Sequence, residues 1–320
     1  MDKHRKLSFS EFYVKYGTLF IFIVIFVIAA ILNNRFLTVN NITNILRQNT
    51  VYAILAFGAT FVIILGHINV SYGTVAALAG CVAAMVARNT GSMTLAVLAA
   101  VAVGLTAGVI NGFFVTKFQV PAFIVTLAMQ SMAQGFVFLF TNAKPITGLP
   151  DTFKIAGQGT IGFIPVPVII MILFFGFSWV LLNKTKYGRY VYAVGGNINA
   201  AQVSGIRTKN IVRLAFIFDG ILTGIAGVIL MSRINSGYPS AGEGYEFDAI
   251  TAVVVGGTSL SGGIGTMTGT FVGALIVGII NNILNLMNVN TYWQYAVRGF
   301  IILIAVVADI LSKGINKRNN

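Results

Sequence analysis

Along the chain, long apolar runs alternate with short polar breaks, and the spacing of those breaks organises the whole sequence. The runs fall at roughly 17–33, 45–66, 70–87, 93–115, 121–141, 163–183, 211–232, 247–260, 264–287 and 292–312. A helix needs about 20 apolar residues to cross a hydrocarbon core about 30 Å thick. The pattern therefore predicts an all-α integral membrane protein with about ten transmembrane helices, some short or broken. The eighth run is short and interrupted by glycine, and only a few residues part the second run from the third. Eight or nine crossings are the alternative counts. The first run follows Lys3, Arg5, Lys6 and Lys15, as a signal peptide would. Its core from Gly17 to Leu32 is long for a cleaved segment, and Asn33 and Asn34 follow it instead of small residues. It reads as an uncleaved first helix.

Composition agrees with the pattern. The chain is 57% hydrophobic and only 9% charged, against about 25% charged in soluble domains. A net charge of +13 could signal nucleic acid, but the basic residues gather at particular helix ends, as positive-inside topology requires. Lys117, Lys184, Lys186, Arg189, Arg207, Lys209, Arg213, Lys313, Lys317 and Arg318 fall on the side of the basic N-terminus. They outnumber Arg35, Arg47, Arg88, Lys144, Lys154 and Arg233 on the other side. The expectation is a multi-pass protein of a cytoplasmic membrane, embedded in lipid, with both termini cytoplasmic and no nucleic-acid partner. An odd number of crossings would put the two basic termini on opposite sides. Residues 142–162 and Ser232–Asp248 should lie outside, and residues 184–210 inside. The chain reads as one polytopic membrane domain over 1–320.

Candidate chemistry is sparse. Cys81 is the only cysteine, so no intrachain disulfide forms, and it reads as an apolar filler. His4 and His67 stand far apart, and no metal-ligand spacing occurs. No GxxxxGK[ST] phosphate loop is present, so ATP, if used, binds another chain. The turn Gly256–Gly265 lacks the lysine of such a loop and reads as a helix break that lets backbones approach. Few ionisable groups lie inside the apolar runs, which disfavours a proton-coupled carrier. No repeated filter motif suggests an ion channel. An enzyme would need a catalytic cluster, and the acids Glu243, Glu246 and Asp248 have no histidine or cysteine partner.

Several segments carry a family resemblance. Gly188-Arg189-Tyr190-Val191-Tyr192-Ala193-Val194-Gly195-Gly196-Asn197, continuing through Ala200-Ala201-Gln202-Val203-Ser204-Gly205-Ile206, resembles the cytoplasmic coupling loop of permeases in ribose-, galactose- and xylose-type ABC importers. The family's acidic pair is replaced by Ile198 and Asn199. Val120–Leu127, Pro145–Pro150, Ala241–Asp248, Gly256–Gly263, Asn281–Leu286 and Tyr292–Gln294 are similar to the same family. Where that family favours Gly-Gly-Ile-Asp-Leu-Ser-x-Gly, this chain has Gly66-His67-Ile68-Asn69-Val70-Ser71-Tyr72-Gly73.

The resemblance implies a type II importer-like architecture. It also implies a cytoplasmic ATP-binding subunit that holds ATP and Mg, an extracytoplasmic solute-binding protein, and a second copy of the chain. The cargo would be a monosaccharide, with ribose first and galactose, xylose, polyols or a signalling sugar as alternatives. It places ATPase coupling on Asn197, Asn199, Ala200, Ala201, Ser204 and Gly205, where an amide could cap a short surface helix and Gly205 could end it. A solute path or gate is expected among His67, Asn69, Ser71, Ser259, Ser261, Asn281 and Asn282. For the turn at 66–73 the alternative is a locally satisfied loop in which Asn69 bonds nearby backbone. Arg233, Glu243 and Glu246 are candidates for binding-protein docking, or else solvated loop charge. Depth along the helices suggests that Arg213 pairs with Asp309 and Asp219 with Arg298, making the seventh and tenth spans neighbours.

Overall fold

The computed structural model describes residues 9–318, so Lys3, His4, Arg5 and Lys6 lie outside the described residues. In chain order the elements are α1 (Phe9–Leu32), α2 (Val39–Ile64), α3 (Tyr72–Thr90), α4 (Met93–Lys117), α5 (Ala122–Thr141), α6 (Asp151–Gln158), β1 (Thr160–Ile161) and β2 (Ile164–Pro165). There follow α7 (Val166–Lys184), α8 (Lys186–Gly196), α9 (Ile198–Val203), α10 (Thr208–Ile234), α11 (Tyr245–Val255), α12 (Met267–Leu286) and α13 (Thr291–Arg318). Every predicted apolar run falls on one of these helices. Among the described residues, six of them, α2, α4, α5, α7, α10 and α12, are long and apolar enough to cross a membrane.

The eighth run contracts to α11, whose 11 residues span only about 17 Å at 1.5 Å per residue. It cannot cross a hydrocarbon core of about 30 Å. The loop 256–266 carries the chain on to α12. The segment 142–162 is not a plain loop either: it holds α6 and the β1–β2 hairpin, and Ile146 pairs with Gly237 as an isolated bridge.

Helix α2 is the centre of the bundle. Its residues from Asn49 to Ile64 are all buried, as expected for a helix apolar on every side. Helices α10, α12, α11 and α7 pack around it. Helices α4, α5 and α7 instead present Leu98, Phe113, Phe123, Phe136, Leu173 and Phe177 outward, a surface suited to lipid. The tightest pairing is α4 against α10. A Cβ on Gly104 would overlap the Gly220 carbonyl, and one on Gly220 would overlap the Gly104 carbonyl. Small residues here let the two backbones touch, the packing that serves where lipid removes the hydrophobic drive between helices.

One predicted charge pair, Asp219 with Arg298, is not formed. Helix α13 packs against α11, and Arg298 Nε lies 3.3 Å from Asp248 Oδ1. Asp219 accepts instead from the Asn69 amide at 2.8 Å. Arg213 donates from Nε to Thr116 Oγ1 at 2.6 Å, and the Asp309 side chain lies outside the described residues. Depth matched the partners only along the membrane normal. The helix neighbours around that axis are set by the short α11, which inserts between α2, α12 and α13.

Candidate functional site

Residues 184–210, with Lys184, Lys186, Arg189, Arg207 and Lys209, mark one end of the bundle, called here the basic face. Thr185 caps α8 by accepting from Gly188 N at 3.2 Å. Asn197 caps α9 by accepting from Ala200 N at 3.0 Å, and the backbone turns out of the helix through Gly205 at φ +81°. Ala201 is buried beneath α9, while Asn197, Asn199, Ala200, Ser204 and Gly205 are exposed. Val203 is 91% exposed, an aliphatic side chain displayed on a polar face.

Helix α8 meets the end of α2 at close range. A Cβ on Gly195 would overlap the Ile64 carbonyl at the end of α2. That same carbonyl accepts from Gly263 N at 2.8 Å. Tyr192 donates its hydroxyl to Gly265 O at 2.8 Å. Burial pushes the Tyr192 phenol up from its ordinary value, so it stays a donor at neutral pH. The end of α2, the glycine loop before α12 and the end of α8 thus meet backbone to backbone.

The seven expected path residues do not converge. His67 sits at the basic face beside Gln119, Gln202 and Lys209, around a cavity of about 260 Å³. Burial lowers its pKa from the usual 6.5. Ser259 and Ser261 lie in the glycine loop at that same end, where Ser259 Oγ accepts from Ser261 N at 3.2 Å. Asn69 and Ser71 are buried at the middle of α10. Asn69 Oδ1 accepts from Ser71 N at 2.9 Å and Ser71 Oγ at 2.7 Å, while its amide reaches Asp219. Local backbone bonding and a long-range carboxylate contact therefore coexist at Asn69. Asn281 and Asn282 lie toward the opposite end. Asn281 donates to Asp248 at 3.3 Å, and Asn282 exchanges two amide bonds with Asn41 at 3.1 and 2.9 Å.

Of the docking candidates, Glu243 is exposed, Arg233 is half-buried and reaches the Tyr245 hydroxyl at 3.4 Å, and Glu246 is buried beside Gly73. Glu246 is thus withheld from any surface a docking partner could meet. It sits in the first turn of α11, where an acid favours the helix dipole.

The sequence reading overlooked a cleft at the end opposite the basic face. It lies between the start of α2, the ends of α10 and α12, and α6, and encloses about 580 Å³. Arg47, Gln48, Gln158 and Asn285 line it together with Arg233 and Asn282. Asn and Gln scattered at the ends of apolar runs were the only signal in the sequence, and such residues are common at any helix end.

A bundle of apolar helices with a surface helix held against its core at one end and a polar cleft at the other suits a membrane transport subunit. Comparison with known proteins agrees. Residues 41–306 match the family described as branched-chain amino acid transport system / permease component, and the chain belongs to that family. It is 42% identical to the ribose import permease protein RbsC of Haemophilus influenzae, covering 97% of this chain and 98% of that protein. It is 42% identical to RbsC of Bacillus subtilis, covering 96% of each. It is 33% identical to the xylose transport system permease protein XylH of Haemophilus influenzae, covering 94% of this chain and 99% of the relative. No solved structure matches the chain. The protein is a multi-pass membrane permease component of a bacterial importer and not itself the ATPase.

Proposed function

We propose that this chain is the membrane-spanning subunit of an ATP-driven monosaccharide importer, with ribose as its first cargo. The similarity to ribose permeases over nearly the whole chain is the observation that carries this reading. Xylose, galactose or another small polyol is the second choice, favoured by the xylose and D-allose relatives at 33% and 36% identity. The chemistry suits a polyhydroxyl cargo, since the cleft is lined by amides and guanidinium groups that can bond hydroxyls.

In this reading the basic face is cytoplasmic by the positive-inside rule. Helices α1, α2, α3, α4, α5, α7, α10, α12 and α13 with the half-length α11 make up a ten-segment importer of the type II kind. A separate subunit holds ATP and Mg and receives α9 in a groove. A secreted binding protein delivers the sugar to the opposite face, and two copies of the chain surround the path. Exposed Val203 and Ile198 on α9 supply apolar contact for the ATPase. The acid-free pair at Ile198 and Asn199 shifts docking from charge to shape.

Growth tests this directly. Cells that depend on this permease for ribose should lose high-affinity ribose uptake when it is deleted and regain it from a plasmid copy. Unchanged ribose uptake in the deletion strain, with uptake of a different solute lost, would overturn the cargo assignment.

A further inference from the structure

Resting on the importer reading, we infer that the cleft opposite the basic face is a low-affinity receiving site for a free monosaccharide, after the binding protein releases it and before the path opens. Its volume, about 580 Å³, falls among small-molecule sites of roughly 300–1,000 Å³.

The functional groups around the cleft are mixed in the way sugar hydroxyls require. Each hydroxyl both donates and accepts. Asn285 accepts from Gln294 Nε2 at 3.0 Å through its carbonyl, so it offers the cleft an NH₂ donor. Gln48 donates to the Tyr52 hydroxyl at 3.1 Å, so it offers a carbonyl acceptor. Arg47 and Arg233 add donors, and the Nε atom of each is buried without a hydrogen-bond partner among the described residues. Neither arginine faces a carboxylate within ion-pair distance among the described residues, and no acid lines the cleft. The reciprocal Asn41–Asn282 pair closes one wall.

The polar character continues inward. Asn49, one residue further along α2, is fully buried beside Gly278, and neither amide atom has a hydrogen-bond partner among the described residues. Leaving a buried polar group unpaired costs about 1–3 kcal/mol, a cost that packing against α12 does not call for. A simple anion site would favour donors alone, and the acceptor at Gln48 argues for hydroxyls instead.

The test uses the whole transporter in proteoliposomes, with its ATPase and binding protein, and D-ribose as the probe. In Gln48→Ala and Asn285→Ala, sugar moved per ATP hydrolysed should fall about three- to tenfold per amide removed. A ratio equal to wild type would overturn the assignment, as would a parallel loss of uptake and stimulated hydrolysis at constant ratio. A second measurement does not depend on turnover. In a Cys81→Ala background, Gln48→Cys should be labelled by a water-soluble thiol reagent, and millimolar D-ribose should slow labelling while equimolar sulfate should not. Protection by sulfate but not by ribose would make this an anion site and defeat the proposal. Wild-type proteoliposomes that move no monosaccharide would defeat the importer reading itself, and the cleft assignment with it.

Discussion

Asn69 donates its amide to Asp219 Oδ2 across 2.8 Å, joining the segment between α2 and α3 to the middle of α10. The Tyr72 phenol faces the same carboxylate, and Asp219 Oδ1 has no hydrogen-bond partner among the described residues. The position is one where the resembling family favours an acid, and here an acid would face Asp219 directly. Two carboxylates at such a distance cannot both ionise. Asn69→Asp should therefore fold and transport best at low pH and lose activity as pH rises and the shared proton is removed. The exchange Asn69→Asp with Asp219→Asn should restore a flat profile. A single Asn69→Asp variant whose uptake does not change between pH 5.5 and pH 8 would contradict this.

Arg298 and Asp248 form the ion pair that fixes α13 to α11. The Asp248 side chain is 1% exposed, and removing one partner from a buried pair costs about 3–5 kcal/mol. Arg298→Met should destabilise the protein strongly in a denaturant titration, and Asp248→Asn in the same chain should recover much of the loss. Additive losses in the double variant would show that the pair is not coupled.

How far the sequence alone could reach is shown by these two carboxylates. Run length and hydropathy located the helices, because crossing a membrane demands length whatever the neighbours are. The Asn197 cap and the turn at Gly205 were also readable, since local backbone geometry decides both. Partner choice was not. Asp219 and Arg298 looked matched in depth, but rotation about the bundle axis depends on which helix faces which, and the half-length α11 places Asp248 at the arginine first. The cleft stayed hidden for the same reason: Arg47, Gln48, Gln158, Arg233 and Asn285 come from four separate segments and only tertiary packing gathers them.

Gly195 lies against the Ile64 carbonyl, where the end of α8 meets the end of α2. Gly195→Ala leaves no room for its methyl group and should push α8 away from α2. Sugar transport should drop at least tenfold while ATP hydrolysis by the partner continues. Tyr192→Phe removes only one hydrogen bond to Gly265 and should cost less, about 0.5–1.5 kcal/mol of stability. If Gly195→Ala transports as wild type does, this joint carries no motion.

Val203 offers a cleaner probe of docking than Gly205, whose φ of +81° strains any replacement whatever α9 touches. Val203→Glu leaves the exposed helix intact and places charge on its apolar tip. Detergent-solubilised variant should retain its fold but fail to copurify with the ATPase subunit. Copurification at wild-type yield would move the ATPase contact elsewhere.

His67 carries a pH consequence. Burial lowers its pKa below the ordinary 6.5, so the unfolded chain takes up a proton at a higher pH than the folded one. Its contribution is fully present above the unfolded value and is lost as pH falls through and below about 6.5. The melting temperature should decline between pH 7 and pH 5.5 in the wild type, and His67→Gln should flatten that decline. Identical slopes in the two proteins would assign the acid sensitivity to other groups.

The central claim, ATP-driven import of a monosaccharide through this chain, is tested most directly by reconstitution. The purified permease is placed in proteoliposomes with its ATPase subunit, labelled D-ribose and binding protein on one side and ATP on the other. The account predicts ribose accumulation that stops when ATP, the ATPase or the binding protein is omitted. Accumulation that persists without the ATPase, or transport of a branched-chain amino acid with no sugar moved, would contradict it.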